Sequence, residues 1–179
     1  MNYRGFGRSL GNPSVEGIIS DGKAVLEYFQ TQGKFNQSLP AYLIGYSLGT
    51  FVALTQMNSH FQGIILISPF TNTKEMLNYL KKEEVPFYAR PFVKIKVDSN
   101  LYQLDNLKLI KGIQQPVLLL HGTRDVLIPS WMSQKLFQAA ASQNKNLKFI
   151  EEADHNSIMS NVQFMEQVVK EISRFLAEP

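Results

Sequence analysis

The chain has 179 residues, of which 44% are apolar and 18% charged, and its formal charge is +3. This length and composition suit one ordinary globular domain over residues 1–179 and exclude a low-complexity or disordered chain. The absence of cysteine excludes a disulfide framework, a thiol nucleophile and a thiolate metal site. The sequence has no apolar run of membrane-spanning length and no signal-peptide core near its first residue, so we expect a cytoplasmic protein.

Short apolar runs alternate with amphipathic segments along the chain, as in a parallel sheet covered by helices. The last helix is expected to place Val168, Val169, Ile172, Phe175 and Leu176 on its apolar side, and Ser14 is expected to cap the first. In chain order we predict a helix over 15–32, a loop over 36–40, a strand over 42–46, a helix over 48–58, a strand over 63–67, a strand over 117–120, a helix over 130–141, a strand over 147–150 and a helix over 162–176.

An insert interrupts this alternation between residues 70 and 115. It is rich in aromatic residues and holds eight Lys and Arg against five acidic residues. Its formal charge of +3 equals that of the whole chain, so the remaining residues balance to zero. A basic, aromatic surface is compatible with weak contact at a membrane surface, although a solvated face is the commoner outcome. No nucleic-acid-binding motif accompanies the charge, and we predict no nucleic-acid partner.

Ser47 lies in the pentapeptide Gly45-Tyr46-Ser47-Leu48-Gly49, between a predicted strand and a predicted helix. This is the context of the nucleophile elbow G-x-S-x-G, in which the serine takes a strained backbone. The glycines two before and two after it allow the strand and helix to approach each other. Taken alone, the pentapeptide could also be a glycine-rich turn without chemical function.

A serine nucleophile needs an adjacent base, and that base needs a third group to orient it. Of the three histidines, His60 lies at the polar end of the helix that follows the elbow and His121 ends an apolar run, whereas His155 lies on a loop after the last predicted strand. Asp125 follows another strand and completes the order serine, acid, histidine. The histidines are scattered, and we predict neither a metal site nor a cofactor.

With these residues, the sequence resembles the α/β-hydrolase family, and more narrowly its small esterases of lysophospholipids, monoacylglycerols and protein palmitates. The resemblance implies a mostly parallel sheet of about four strands flanked by helices, with residues 70–115 as a small helical cap. Asp154 stands where such proteins commonly have glycine, and its carboxylate could compete with Asp125 for the imidazole. The resemblance is carried by the elbow, by Ser68-Pro69-Phe70-Thr71, by residues 116–122, by Asp125 with Ile128-Pro129 and by Ala153-Asp154-His155-Asn156.

The resemblance also implies that the backbone N–H of Leu48 belongs to the oxyanion hole. The other donor of the family follows a strand that would precede residue 1, so we expect a truncated hydrolase that lacks strands one to three and most of the fourth. An upstream start would restore them. Truncation would leave strand 42–46 at an apolar edge, covered by a second copy in a homodimer, by a partner chain or by residues 1–10.

The sequence therefore predicts a serine hydrolase that cleaves a small-molecule carboxylic ester or thioester. Ser47 would attack the carbonyl carbon, His155 would take and return the proton, and Asp125 would orient the imidazole. Because the loss of one oxyanion donor typically costs about 10²–10³ in turnover, the alternative is a catalytically weak remnant that serves as an interaction or oligomerisation module.

Overall fold

A computed structural model of the chain describes residues 2–32 and 39–177. In these residues four parallel strands form one sheet in the order β1-β2-β3-β4. The strands are β1 (Tyr42–Tyr46), β2 (Gly63–Ile67), β3 (Val117–Gly122) and β4 (Lys145–Ile150). The predicted α/β class and the parallel sheet are confirmed.

Helices connect these strands on both faces of the sheet, as parallel pairing requires. A 3₁₀ helix over Ser99–Gln103 lies inside the predicted insert. The helices are α1 (Val15–Thr31), α2 (Leu48–Gln56), α3 (Thr73–Glu84), α4 (Asn106–Ile110), α5 (Trp131–Ala139), α6 (Ser157–Ser160) and α7 (Val162–Ala177). The Ser14 hydroxyl caps α1 by accepting from the Gly17 N–H at 3.0 Å, as predicted. Residues 36–38 of the predicted loop lie outside the described residues.

The two central strands, β2 and β3, form the core of the domain. Every residue of both strands is buried, because helices cover the two faces to which alternate side chains point. One face packs against α2, α4 and α5, and the other packs against α6 and α7. The sheet is thereby held as a rigid platform, and its carboxyl edge carries the loops that follow the strands.

Two of the differences from prediction follow from burial. Strand β3 continues through His121 because the buried imidazole finds hydrogen-bond partners inside the domain. Helix α4 lies at the end of the predicted insert but packs in the main core through Ile110, which is completely buried.

The predicted apolar side of α7 is wrong at two positions. Val168 and Phe175 are buried, whereas Val169 and Leu176 are 53% and 45% exposed. Each exposed residue directly follows a buried one, and a step of one residue turns a helix by about 100°. The apolar stripe that faces the sheet is therefore narrower than the sequence suggested.

Strand β1 lies at the edge of the described sheet, where it pairs with β2. The side chain of Ile44 in this strand is 57% exposed. Residues 2–10 form turns and not a strand, so they do not extend the sheet beside β1. Pairing of this edge with another chain stays a prediction.

Candidate active site

Ser47 occupies a strained turn between β1 and α2. Its φ and ψ of 52° and −122° fall in a region that non-glycine residues rarely adopt. At Gly45 a Cβ atom would lie 2.5 Å from the Gly49 carbonyl oxygen and 2.6 Å from the Thr50 Cα, so only glycine permits this turn. At Gly49 a Cβ atom would meet only the Tyr3 hydroxyl, at 3.6 Å. Both glycines were predicted to be needed because a side chain would not fit. The structure shows such a clash at Gly45 and none at Gly49.

The structure brings Ser47, His155 and Asp125 together. His155 Nε2 lies 3.0 Å from the Ser47 Oγ, and its Nδ1 lies 2.7 Å from Asp125 Oδ2. Because a carboxylate can only accept, Nδ1–H donates to Asp125 and Nε2 is left to accept from the serine hydroxyl. The three residues come from the carboxyl ends of β1, β4 and β3, which meet at one edge of the sheet.

Asp125 is held as a carboxylate although it is buried. Burial alone would raise its pKa, but hydrogen bonds from His121, His155 and the backbone N–H of Ile128 outweigh burial and keep the pKa well below its usual range. The other oxygen, Oδ1, accepts from the N–H groups of Leu127 and Ile128 at 3.0 and 2.8 Å. The negative charge that faces the imidazole is therefore permanent near neutral pH.

The loops that carry Asp125 and His155 are joined through their backbones. The Arg124 N–H donates to the Ala153 carbonyl at 2.9 Å, and the Thr123 N–H donates to the Ile150 carbonyl at 3.1 Å. A Cβ atom at Gly122 would lie 2.2 Å from the Ala153 carbonyl oxygen. Glycine at this position allows the two loops to approach closely enough for the acid to reach the histidine.

The family model for the prolyl oligopeptidase family matches residues 9–179. The chain belongs to this family. Its likeness to serine hydrolases with the α/β-hydrolase fold, expected from the sequence, is confirmed.

Curated proteins similar to this chain include one from human, one from mouse and one from a plant. It is 31% identical to Protein ABHD12B of Homo sapiens over 82% of this chain and 42% of that protein. It is 32% identical to the lysophosphatidylserine lipase ABHD12 of Mus musculus over 79% of this chain and 37% of that protein. It is 31% identical to the α/β hydrolase domain-containing protein WAV2 of Arabidopsis thaliana over 84% of this chain and 51% of that protein. The chain spans about half or less of the length of these relatives.

Solved structures share the fold of this family member at low identity. Mouse α/β hydrolase domain-containing protein 10 matches with a TM-score of 0.72 and 18% identity, over 98% of this chain and 76% of that chain. The monoglyceride lipase of Saccharomyces cerevisiae matches with a TM-score of 0.66 and 19% identity, over 95% of this chain and 71% of that chain. These matches support the fold and carry no information on substrate.

Two side chains around the triad were missed by the sequence analysis. The Tyr46 hydroxyl donates to the His155 carbonyl at 2.5 Å, and the two rings stack with centroids 5.3 Å apart. His121, assigned only to the end of an apolar run, lies 3.3 Å from Asp125. The spacing of His121 four residues before Asp125 is the one signal that could have indicated the second contact.

Asp154 does not bind the imidazole. Its Oδ1 accepts from the N–H groups of Asn156 and Ser157 at 2.9 and 2.8 Å, closing the turn that leads into α6. The Ser157 N–H is the main reason why the pKa of Asp154 is lowered. The competition with Asp125 that the sequence allowed is therefore absent from this arrangement.

Leu48 is the first residue of α2 and directly follows Ser47. The first N–H groups of a helix lack partners within it and carry the positive end of its dipole. The Leu48 N–H is thus available to an anionic oxygen beside Ser47. In the part of the chain that is described, no cluster of His, Asp and Glu could hold a metal ion.

An apolar cavity of about 240 Å³ opens beside Ser47. The predicted insert supplies most of its wall, and Leu48 and Ile128 complete the wall on the side of the sheet. The residues from the insert are Phe70, Thr73, Met76, Leu77, Val97, Leu101 and Leu104.

A second groove, of about 500 Å³, shares Leu77 with this cavity. Four lysines line it: Lys74, Lys81, Lys94 and Lys96. The insert thus builds an apolar compartment next to a cationic one. None of the helices in the described ranges has the length and apolarity required to cross a bilayer.

Proposed function

We propose that the chain is a serine hydrolase that cleaves carboxylic esters or thioesters. The observation that carries the proposal is the hydrogen-bonded series from the Ser47 hydroxyl through His155 to Asp125, with the serine on a strained turn beside an apolar cavity. A buried carboxylate, an imidazole and a hydroxyl in this order are the parts needed to activate an alcohol.

In the proposed mechanism Ser47 Oγ attacks the carbonyl carbon while His155 Nε2 takes the hydroxyl proton. The Leu48 N–H stabilises the oxyanion of the tetrahedral intermediate. His155 then gives the proton to the departing alcohol or thiol, leaving an acyl-enzyme on Ser47. Water, deprotonated by the same imidazole, then attacks the acyl carbon. The bond to Ser47 Oγ breaks, His155 returns the proton to Oγ and the carboxylic acid leaves, while Asp125 orients the ring throughout.

For the substrate we propose an amphiphilic acyl ester with an anionic head group. The apolar cavity suits an acyl chain, and the four lysines of the adjoining groove suit a phosphate or carboxylate. The name of the mouse relative, lysophosphatidylserine lipase, describes an ester of this class.

The insert is further proposed to make weak contact with anionic membranes. Phe87, Tyr88 and Phe92 are 77%, 69% and 87% exposed, in a segment flanked by lysines. Exposed aromatic and basic side chains together bind the interface of anionic bilayers. Such contact would bring the groove close to a lipid substrate.

The rival proposal is a weak remnant that acts as an interaction module through the exposed edge of β1. A test of both is fluorophosphonate labelling of the purified chain, with intact mass as the readout. Ser47→Ala and His155→Ala are the controls, and circular dichroism checks folding. We expect stoichiometric labelling of the wild type and none of either variant.

Failure of the folded wild type to react would reject the hydrolase and leave the interaction module. Because the family is named for a peptidase, a reactive protein would next be compared on matched acyl esters, thioesters and anilides. Faster turnover of anilides than of esters would replace the esterase proposal by a peptidase.

A further inference from the structure

His121 is a completely buried histidine that the proposed reaction does not use. Its Nδ1 lies 2.6 Å from the Ser133 hydroxyl, and its Nε2 lies 2.8 Å from the Ile128 carbonyl. The same Nε2 lies 3.3 Å from Asp125 Oδ2, the oxygen that accepts from His155. Two imidazoles therefore face one carboxylate oxygen.

The partners fix the proton on this ring. A carbonyl oxygen can only accept, so His121 Nε2 carries a hydrogen. In the neutral ring Nδ1 then accepts from the Ser133 hydroxyl, which holds this tautomer. The Nε2–H donates to the Ile128 carbonyl at 2.8 Å, and Asp125 Oδ2 lies 3.3 Å from the same nitrogen as a second, weaker contact.

Asp125 is consequently held from both ends. Its Oδ1 is fixed by the N–H groups of Leu127 and Ile128, and its Oδ2 lies between the two imidazoles. Rotation of the carboxylate would have to break contacts on both oxygens. In a buried site such a network is stronger than its separate contacts.

We propose that His121 is a positioning residue, which orders Asp125 so that its Oδ2 points at His155. The inference rests on the proposed function, since it concerns the same triad. A histidine that merely filled the core could be replaced by any side chain of similar volume. A positioning residue requires a donor at the place of Nε2.

Two amide variants separate these roles. His121→Gln can place an N–H donor near the position of Nε2, whereas the shorter side chain in His121→Asn reaches only the position of Nδ1. The first readout is the low-field proton resonance of His155 Nδ1–H in the intact chain, assigned by its loss in His155→Ala. We expect the resonance to keep its position in His121→Gln and to move or broaden in His121→Asn.

The second readout is the rate at which a fluorophosphonate labels Ser47. The loss of one hydrogen bond to a charged group predicts a fall of about 10- to 100-fold in His121→Asn, and about threefold or less in His121→Gln. Wild-type resonance and rate in a folded His121→Asn protein would overturn the proposal.

The two proposals fail separately. An unlabelled wild type would reject the serine hydrolase, while the His155 resonance would still decide whether His121 orders the pair. If neither amide variant folds, His121→Met decides, because it keeps a similar volume and has no donor at the position of Nε2. An unchanged His155 resonance in folded His121→Met would then count against the positioning role.

Discussion

Tyr46 holds His155 by two contacts at once: its hydroxyl donates to the histidine carbonyl at 2.5 Å, and its ring stacks on the imidazole at 5.3 Å. Tyr46 is the residue directly before the proposed nucleophile. One backbone segment therefore positions both the serine and the surface on which its base rests.

Tyr46→Phe keeps the stacked ring and removes the hydrogen bond. A hydrogen bond of about 0.5–1.5 kcal/mol corresponds to a loss of about 2- to 10-fold in the rate of Ser47 labelling. Tyr42→Phe is the matched control, because Tyr42 lies on the same strand and packs edge-on against Phe175, away from the site. Equal rates in Tyr46→Phe and wild type would mean that stacking alone is sufficient.

The two elbow glycines are expected to differ in their tolerance of alanine. Gly45→Ala would drive a methyl group into the backbone of Gly49 and Thr50 and should cost about 1–3 kcal/mol of the free energy of unfolding. Gly49→Ala meets only a distant hydroxyl and lies in a helix, where alanine is favoured over glycine by about 1 kcal/mol. Urea denaturation of both variants measures the difference, and equal destabilisation would contradict it.

Filling the apolar cavity should shorten the preferred acyl chain. In Met76→Trp we expect kcat/KM for a decanoyl ester to fall about tenfold or more relative to the acetyl ester, because several methylene groups lose their burial. Val162→Trp, at a site 72% exposed on α7, serves as the control. A parallel loss on both esters would indicate damage to the triad and not to the cavity.

Removing charge from the lysine groove should weaken the binding of anionic substrates. Lys94→Gln combined with Lys96→Gln is expected to raise KM for a lysophosphatidylserine by about 3- to 10-fold and to leave a monoacylglycerol unaffected, since exposed charges contribute about 0.2–1 kcal/mol each. Lys148→Gln with Lys170→Gln removes the same charge outside the insert. If this control pair has the same effect, net charge and not the groove attracts the lipid.

Asp125 should make the free energy of unfolding depend on pH in the acidic range. Its folded-state pKa is lowered, so its contribution is complete above the unfolded pKa of about 4 and is lost as the pH falls toward the folded value. We expect Asp125→Asn to lower the free energy of unfolding at pH 7 by about 1–3 kcal/mol and the gap to wild type to narrow below about pH 4. Urea midpoints from pH 7 to pH 3 test this. If the difference in the free energy of unfolding between Asp125→Asn and wild type stayed constant over this range, the packing of the side chain and not its charge would account for the stabilisation.

Much of the fold could be predicted because the two central strands are continuous apolar runs, whereas β4 begins at Lys145, two residues before its predicted start, where the sequence is polar. The two buried strands β2 and β3 have no polar face, so their sequences cannot be solvent-exposed loops. The buried face of α7 was less predictable. Val169 and Leu176 are as apolar as their buried neighbours, and only the way the helix packs on the sheet leaves them exposed.

Within the site, the residues with distinctive chemistry could be found from their positions after strands. Tyr46 could not be assigned, because its contact with His155 joins distant parts of the chain and no local pattern contains it. For His121 the four-residue spacing from Asp125 was the only local signal. The lysine groove was visible only as a charge excess in the insert, since folding brings Lys74 and Lys81 beside Lys94 and Lys96.

Strand β2 separates β1, which carries Ser47, from β3, which leads to Asp125. The chain leaving β2 runs from residue 68 to 116 and builds the walls of both compartments before it returns to the sheet. The strands therefore set the spacing of the reactive groups, whereas the segment between β2 and β3 supplies most of the surface that a ligand would contact. Exchange of the part of this segment that precedes α4, with its ends held at the same distance, is therefore expected to change the ligand and to leave the buried core intact.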